Sequence, residues 1–333
     1  MISIYCGNST EPWNASNLDA GVGGSEQAVI YLSRQLGKVT VFNSTEEVYI
    51  DGQVTYKPYE GIGKASQETL IVWRTPEAIL NLKEVESKKK ILWLHDLLKE
   101  SEVLPFIYFY DVVIVASKFH RNQYPNIPDN LIKVVPLGID IPSIVAAEGG
   151  ERDPWKLCYF SAYDRGARVL LEDWTKLKLQ FPELTLVIGY GWQTLDKLAG
   201  DRQSYDFFHN YMENLFDQEG VTHLGRVSQK QVLEHMSTSQ LLAYPSIWPE
   251  TMCLVAAQAQ ACGAVPVTTP LAALNETVQY GWKGVTEPVW YDHMIEALTH
   301  PEDVQEIRAM MIPAIRDSLS WESIGKEWQK IIG

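Results

Sequence analysis

Short apolar runs alternate with amphipathic segments along the chain. In the first part, short runs of β-branched or other apolar residues recur at residues 2–6, 39–42, 70–73, 91–94, 112–115 and 132–135. Between the first two runs, Ala28, Val29, Leu32 and Leu36 have the three-and-four spacing of a helix with one apolar face. Apolar runs separated by helical segments predict a parallel sheet that crossover helices cover on both faces.

This alternation is interrupted once and then restarts. Residues 148–154, Glu-Gly-Gly-Glu-Arg-Asp-Pro, carry turn and breaker residues in place of apolar periodicity. Apolar runs return at residues 157–160, 184–188, 221–224, 241–244 and 265–268, with a helical pattern at 169–179. We therefore predict an α/β protein with two Rossmann-like domains, residues 1–145 and 146–315, joined near this polar stretch.

The last residues, 316–333, predict a separate terminal helix. Trp321, Ile324, Trp328 and Ile331 follow one another at intervals of three, four and three, which gives the helix one strongly apolar face. Another part of the protein must cover that face.

Composition and charge narrow the classes of partner. The 333 residues are 46% hydrophobic and carry a formal net charge of -14, which suits a packed protein and repels polyanions. No basic cluster is longer than Lys88-Lys89-Lys90, so we expect no nucleic-acid partner. The four cysteines show no CxxC spacing and lie in apolar runs, which predicts reduced thiols and a cytoplasmic location.

The sequence predicts neither a signal peptide nor a membrane span. Met1 leads directly into the strand-like residues 2–6, which leaves no room for a charged n-region and an apolar h-region. The longest apolar stretch, residues 103–116, is interrupted by Pro105 and Asp111. Because a helix needs ~20 apolar residues to cross a bilayer, we expect no transmembrane segment, with room for peripheral membrane contact.

The most informative segment for function runs from Pro245 to Gly263, where an apolar strand ends in a loop and a helix begins. Parallel α/β sheets bind ligands beyond the carboxyl ends of their strands, and the N–H groups at a helix N-terminus attract phosphate. The helix dipole alone contributes about 0.3 to 2 kcal/mol, so tight binding of a diphosphate needs further donors. The alternative is an ordinary strand-loop-helix connection with an exposed Glu250.

This segment resembles the donor site of retaining glycosyltransferases of the GT-B fold, family four, which has a Glu, seven residues and a second Glu on the following helix. Glu250 matches the first Glu, whereas Gln258 stands at the second position. In the family, the first Glu and the backbone after it meet the donor sugar and diphosphate, and the second Glu holds the ribose hydroxyls. Replacing a charge-assisted hydrogen bond by a neutral one at Gln258 costs on the order of 1 kcal/mol in donor affinity. The backbone positions concerned are Thr251, Met252, Cys253 and Leu254.

A second family landmark follows the first strand of the second domain. Residues 161–166, Ser-Ala-Tyr-Asp-Arg-Gly, resemble the family's phosphate-binding turn, in which a basic residue precedes a Gly. The resemblance makes Arg165 a clamp for the diphosphate and Gly166 part of the same turn. A guanidinium can bind phosphate in a bidentate way and offset the charge that grows on a leaving diphosphate. A surface turn with an ion pair between Asp164 and Arg165 is the alternative.

Two landmarks fall in the first domain. Gly23, Gly24 and Ser25 open the helix after the first strand, and similar glycosyltransferases place this turn beside the donor phosphate and the acceptor. Taken alone, a Gly-rich first turn could equally belong to a dinucleotide-binding oxidoreductase, although the spacing is not GxGxxG. His95 follows the apolar run 91–94 and corresponds to a family His that contacts the transferred sugar. A packed or hydrogen-bonded histidine is the alternative.

Further landmarks keep the family order as far as Trp321, so the resemblance covers nearly the whole chain. Gly191 could admit the nucleotide base, and Arg226 lies in another segment of the second domain that resembles the family. In the resembling enzymes the terminal helix returns to the N-terminal domain.

The resemblance implies a retaining glycosyltransferase that moves a sugar from a nucleoside diphosphate sugar to an acceptor hydroxyl. Arg165 and the backbone of residues 251–254 would stabilise the departing diphosphate, while Glu250 and His95 would meet the sugar. No Asp-x-Asp element follows a strand, so a tightly held divalent metal is not required. We expect no cofactor to be required, with the nucleoside diphosphate sugar acting as the donor substrate. Two other functions stay open: a sugar-nucleotide epimerase or phosphorylase on the same fold, and a non-catalytic protein that binds nucleotide sugars or glycans.

Overall fold

The computed structural model describes residues 1–63, 66–283 and 287–333. The chain forms two compact units. The first comprises Met1–Leu18, Val22–Gly138 and Ser318–Gly333, and the second comprises Asp19–Gly21 and Ile139–Asp317. Each unit is built on one mainly parallel sheet, which confirms the α/β class predicted from the alternating pattern.

In the first unit the chain alternates between strands and short helical segments. The strands are β1 Ile2–Tyr5, β2 Val39–Asn43, β3 Tyr49–Asp51, β4 Val54–Pro58, β5 Gln67–Trp73, β6 Ser87–Trp93, β7 Val112–Val115 and β8 Ile132–Val134. The helices are α1 Asn17–Ala20, whose last two residues belong to the second unit, α2 Gly24–Leu36, α3 Glu100–Val103 and α4 Lys118–Arg121. Single 3-10 turns lie at Tyr59–Ile62, Pro76–Leu80 and Leu104–Phe109.

The strands of the first unit lie in the order β3-β4-β2-β1-β5-β6-β7-β8, and β3 pairs antiparallel with β4 while the other neighbours are parallel. Every predicted apolar run of this unit falls on a strand. β5 and β6 begin earlier than predicted, because polar residues such as Lys89 and Lys90 also pair along the sheet. β3 and β4 were not predicted, since neither carries a continuous apolar run.

The second unit repeats the strand-helix alternation. Its strands are β9 Asp153–Tyr159, β10 Thr185–Ile188, β11 Val221–His223, β12 Ser239–Tyr244, β13 Val265–Thr268 and β14 Trp282–Lys283. Its helices are α5 Ile141–Ala146, α6 Ala167–Gln180, α7 Gln193–Leu198, α8 Arg202–Phe216, α9 Gln229–Thr238, α10 Leu254–Cys262, α11 Leu274–Thr277, α12 Glu287–Thr299 and α13 Pro301–Leu319, with a 3-10 turn at Tyr163–Arg165.

The strands of the second unit lie in the order β11-β10-β9-β12-β13-β14, and all of these neighbours pair in parallel. From β9 the chain adds β10 and β11 toward one edge of the sheet. It then returns to the centre at β12 and adds β13 and β14 toward the opposite edge. β9 and β12 are neighbours although β10 and β11 lie between them in sequence. Ligands of open α/β sheets bind beside such a switch point, at the carboxyl ends of the strands.

The terminal helix α14, Trp321–Ile332, belongs to the first unit and packs there through its apolar face. Trp321 stacks on Tyr31 of α2 at 6.5 Å between ring centroids, and Trp328 meets Trp93 of β6 edge to face at 4.9 Å. Gly138 is required at this contact, because a Cβ there would overlap the Trp321 ring. The first unit thus covers the apolar face predicted from the tryptophan spacing.

The apolar stretch 103–116 is divided among the last residue of α3, the 3-10 helix Leu104–Phe109 and β7. Within the described ranges, none of the helices combines the length and hydropathy needed to cross a bilayer. The cysteines Cys6, Cys158, Cys253 and Cys262 are buried free thiols.

Candidate active site

The two predicted donor-site loops begin at the switch point of the second unit. One loop follows β9 and carries Arg165, and the other follows β12 and carries Glu250. Their strands are paired in parallel, with Leu241 opposite Leu157 and Leu242 opposite Cys158. Parallel pairing brings both carboxyl ends to the same edge of the sheet, so the two loops meet.

Arg165 and Glu250 form an ion pair between these loops. Nη1 of Arg165 lies 3.0 Å from Oε1 and 3.2 Å from Oε2 of Glu250. Glu250 is 7% exposed, whereas the Arg165 side chain keeps 35% of its surface accessible. Burial by itself would lower the pKa of Arg165, but the Glu250 carboxylate raises it above its ordinary value, so the guanidinium stays charged.

Two further side chains hold this pair. The hydroxyl of Tyr244, at the end of β12, donates to Oε1 of Glu250 at 2.8 Å. The Arg165 guanidinium lies over the ring of Trp248, 5.4 Å from its centroid, in a cation–π contact. The backbone joins the loops as well, since the N–H of Ile247 donates to the carbonyl of Arg165 at 3.2 Å. The carboxylate and the guanidinium are therefore both held in defined positions.

The helix that was predicted to receive phosphate is α10, which begins at Leu254 with Cys253 as its N-cap. Its first-turn N–H groups have no acceptor within the helix, as at any helix N-terminus. Gln258 lies one turn further on and is 5% exposed. Thr251 is partly buried and Met252 is buried, so the predicted phosphate-binding backbone leads directly from Glu250 into the helix.

Gly191, the candidate for admitting the base, follows the next strand of the sheet, and the landmark residue Arg226 follows the strand after that. Gly191 follows β10 with φ +89°, and its N–H donates to the hydroxyl of Tyr163 at 2.9 Å. A Cβ at Gly191 would come within 3.0 Å of the backbone nitrogen of Arg226, which makes a side chain there impossible without movement. Nη2 of Arg226 donates to the carbonyl of Gly21 at 2.7 Å. Both residues thus line one edge of the second unit, beside the loop of Arg165.

The first-unit candidates also lie at the carboxyl edge of their sheet. Gly23 and Gly24 are exposed and Ser25 is partly buried where α2 begins. His95 follows β6, is 6% exposed, and packs edge to face against Trp73 and Trp93, with ring centroids 5.7 and 4.4 Å away. Burial, with a smaller contribution from the charge of Arg74, holds the pKa of His95 well below its ordinary value, so its ring is neutral near pH 7.

A family model for "Glycosyl transferases group 1" matches residues 143–317, just over half of the chain. This protein belongs to the glycosyl transferases group 1 family. The resemblance to family-four enzymes predicted from the sequence is thereby confirmed, and every second-unit candidate lies within the matched residues. No curated protein sequence matches the chain significantly.

Solved structures show that this glycosyltransferase has the GT-B fold. Anabaena HepE in complex with UDP-glucose matches with a TM-score of 0.73 at 14% identity, covering 100% of this chain and 99% of HepE. Sucrose-phosphate synthase from Thermosynechococcus elongatus matches with a TM-score of 0.73 at 14% identity, covering 99% of this chain and 98% of the synthase. The trehalose 6-phosphate synthase of Burkholderia multivorans matches with a TM-score of 0.70 at 14% identity, covering 99% and 96%.

Sequence reasoning missed Arg74, a charged residue of this glycosyltransferase at the edge that also carries His95. Arg74 follows β5, and its Nη2 donates to Oδ1 of Asp96 at 2.7 Å while its guanidinium lies over Trp73. Its backbone has φ +66°, a rare conformation for a residue other than glycine. Its position after an apolar strand, like that of His95 after β6, could have drawn attention to it. The positive φ gives no signal in the sequence.

Gly166 lets the two donor-site loops approach each other, and Gly166→Ala tests this contact. Its φ is +135°, and a Cβ there would overlap the carbonyl oxygen of Pro245. We expect Gly166→Ala to lower the free energy of unfolding by about 2 to 3 kcal/mol through strain and this overlap, measured by urea denaturation. Gly200→Ala is the matched control, because a Cβ at Gly200 meets nothing within 4 Å. Equal stability of the two variants would contradict the close approach.

Proposed function

We propose that this glycosyltransferase moves a sugar from a nucleoside diphosphate sugar to an acceptor hydroxyl with retention of configuration. The observation that carries the proposal is the Arg165–Glu250 pair at the switch point of the second unit. It sets a cation for the leaving diphosphate beside a fixed carboxylate for the sugar hydroxyls. Fixed charges that are complementary to those developing in the transition state account for much of enzymatic rate acceleration.

Arg165 can hold Glu250 and a diphosphate at the same time. Its hydrogen bonds to Glu250 use Nη1 alone, and the side chain is 35% exposed. A guanidinium has five N–H donors in a planar fork, so Nη2 and Nε can still donate to phosphate oxygens. The N-terminus of α10, at Leu254, adds backbone donors for the same group.

Retention is proposed to proceed without a carboxylate nucleophile. Glu250 accepts hydrogen bonds from Arg165 and Tyr244, which makes it a positioning group for sugar hydroxyls rather than an attacking one. The leaving phosphate then takes the proton of the acceptor hydroxyl. We assign the ribose to Gln258, the base to the edge with Gly191, and a sugar contact to His95. No metal is needed in this scheme.

The donor class is supported by solved structures of similar fold. HepE has been crystallised with UDP-glucose and with UDP and glucose. Identities of 14 to 15% support a nucleotide-sugar donor as a class, and they make UDP-glucose the first compound to test here. We assign donor binding to residues 146–315, acceptor binding to residues 1–145 and a covering role to the helix in 316–333. The reduced thiols support action in the cytoplasm.

A second candidate function is a non-catalytic protein that binds a nucleotide sugar, and Gln258 is the observation that favours it. Gln258 stands where the family has a charged residue, and it is buried. A neutral amide there weakens ribose binding without preventing it. This alternative predicts stabilisation by the donor with no consumption of it.

A screen of nucleotide sugars separates these possibilities. Thermal unfolding is measured with UDP-glucose, UDP-N-acetylglucosamine, GDP-mannose, ADP-glucose and the free diphosphates. We expect the nucleotides of one base to stabilise the protein, both as the nucleotide sugar and as the free diphosphate. The expected stabilisation is about 2.7 kcal/mol at a ligand concentration of 100 Kd. With a panel of sugar acceptors, we expect release of the diphosphate and a glycoside of unchanged anomeric configuration by NMR.

Each outcome of the screen supports or contradicts one of the candidate functions. Stabilisation without consumption on any acceptor supports the binding protein. An inverted product contradicts retention, and conversion of the donor without transfer supports the epimerase or phosphorylase. No stabilisation by any nucleotide sugar contradicts the proposed donor site.

A further inference from the structure

Tyr244 is a buried side chain of the second unit to which sequence motifs give no role. It is the last residue of β12 and is 0% exposed. Its hydroxyl donates to Oε1 of Glu250 at 2.8 Å, across the loop that separates the two residues in sequence. Its carbonyl accepts from the hydroxyl of Thr268 on β13 at 2.6 Å, which fixes the backbone of Tyr244 against the neighbouring strand.

The hydroxyl of Tyr244 completes a continuous series of hydrogen bonds that links the two donor-site loops. The Ser161 hydroxyl lies 3.2 Å from it, and Arg165, four residues further along the same loop, binds the Glu250 carboxylate. The chain of contacts runs from Ser161 through Tyr244 and Glu250 to Arg165, and so returns to the loop where it began. Linked buried polar groups of this kind restrict one another's orientation.

Arg165 alone does not determine which carboxylate oxygen faces the ligand. Its Nη1 is nearly equidistant from the two oxygens of Glu250, at 3.0 and 3.2 Å. The carboxylate could rotate about its terminal bond and keep this contact. Tyr244 distinguishes the oxygens, because it donates to Oε1. Oε2 thereby retains the larger capacity to accept a hydrogen bond from a ligand.

We propose that Tyr244 is the positioning residue that orients Glu250, so that Oε2 of the carboxylate is presented to a hydroxyl of the transferred sugar. This inference rests on the proposed function. Tyr244 itself touches no substrate, because its side chain is fully buried. Burial raises the pKa of its hydroxyl well above the ordinary value, which keeps it a hydrogen-bond donor throughout the pH range of an assay.

Tyr244→Phe removes the hydroxyl and keeps the ring. A positioning role predicts that kcat/KM for the donor identified in the screen falls about 5- to 20-fold, since one charge-assisted hydrogen bond to Glu250 is lost. Glu250→Gln and the double variant complete a double-mutant cycle. If Tyr244 acts through Glu250, Tyr244→Phe should change kcat/KM less than twofold in the Glu250→Gln background. The Kd of the donor is measured for the same four proteins. The double-mutant cycle can then be evaluated even if Glu250→Gln shows no turnover.

Tyr110→Phe is the matched control for stability. Tyr110 is 5% exposed in the first unit, and its hydroxyl also makes one buried hydrogen bond, to the carbonyl of Pro76 at 2.7 Å. We expect both Tyr→Phe variants to lower the temperature of unfolding, by more in Tyr244→Phe because its hydrogen bond to Glu250 is charge-assisted, and only Tyr244→Phe to lower kcat/KM.

Two results would overturn the inference: an unchanged kcat/KM in Tyr244→Phe, or a loss of the same size with and without the Glu250 carboxylate. Both presuppose a wild-type protein that binds and turns over a nucleotide sugar. Failure of the wild type to do so contradicts the proposed function instead, so the two failures are distinguishable.

Discussion

Arg165→Met is expected to lower kcat for sugar transfer by about 10²- to 10³-fold, the usual effect of removing a donor that stabilises transition-state charge. The guanidinium is the charged group on the accessible side of the Glu250 pair, and it would face the diphosphate as its charge grows. Methionine keeps most of the length of the side chain and removes the charge. Steady-state kinetics with the donor identified by the screen measure the effect.

The variant also removes the cation beside the buried Glu250 carboxylate. Breaking a fully buried ion pair typically costs about 3 to 5 kcal/mol of stability, and we expect a smaller loss here because the Arg165 side chain is 35% exposed. Arg165→Met/Glu250→Gln separates the two effects, because it leaves no unpaired buried charge. We expect this double variant to regain stability and to remain as slow as Arg165→Met.

Arg168→Met is the matched control for Arg165. Arg168 lies three residues further along the chain, its side chain is 48% exposed, and its partner is Glu172 within α6 at 3.2 Å. Exposed pairs of this kind contribute about 0.3 to 0.5 kcal/mol, so kinetics and stability should stay near those of the wild type. If Arg165→Met kept wild-type kcat while remaining folded, Arg165 would not be the diphosphate clamp.

The second unit shows which part of a site local patterns can predict. Strand, loop and helix patterns placed Arg165 and Glu250 after strands, and the family motif assigned them roles. Neither predicted that they bind each other, because that contact depends on β9 and β12 being neighbours. Strand order is a property of the whole sheet and has no local signal in the sequence. Tyr244 was missed for the same reason, since the partner of its hydroxyl lies across the loop.

The first unit shows a different limit. The apolar runs predicted the strands that cross the core, whereas β3 and β4 carry mixed residues whose pairing comes from their neighbours. His95 was placed correctly after a strand, but its burial between Trp73 and Trp93 could not be derived from its position. An aromatic residue at a strand end can point into the core or toward a ligand, and packing decides between the two.

Trp328→Ala is expected to lower the free energy of unfolding by about 3 to 5 kcal/mol, the usual cost of deleting a buried aromatic side chain. Trp328 is 1% exposed, and its ring meets Trp93 edge to face at 4.9 Å between centroids. Trp93 in turn packs against His95, so the cavity would open directly behind the candidate sugar contact. Urea denaturation followed by circular dichroism measures the loss of stability.

A control on the same helix isolates the apolar face of α14. Lys326 is paired with Glu322 at 2.8 Å, and its side chain is 62% exposed. Lys326→Ala should therefore change stability by no more than about 0.5 kcal/mol. Binding of the free nucleoside diphosphate should survive Trp328→Ala, because the proposed diphosphate clamp Arg165 belongs to the other unit. If Trp328→Ala were as stable as Lys326→Ala, the terminal helix would not be part of the first unit's core. If it lost binding of the free nucleoside diphosphate while remaining folded, the assignment of diphosphate binding to the second unit would be wrong.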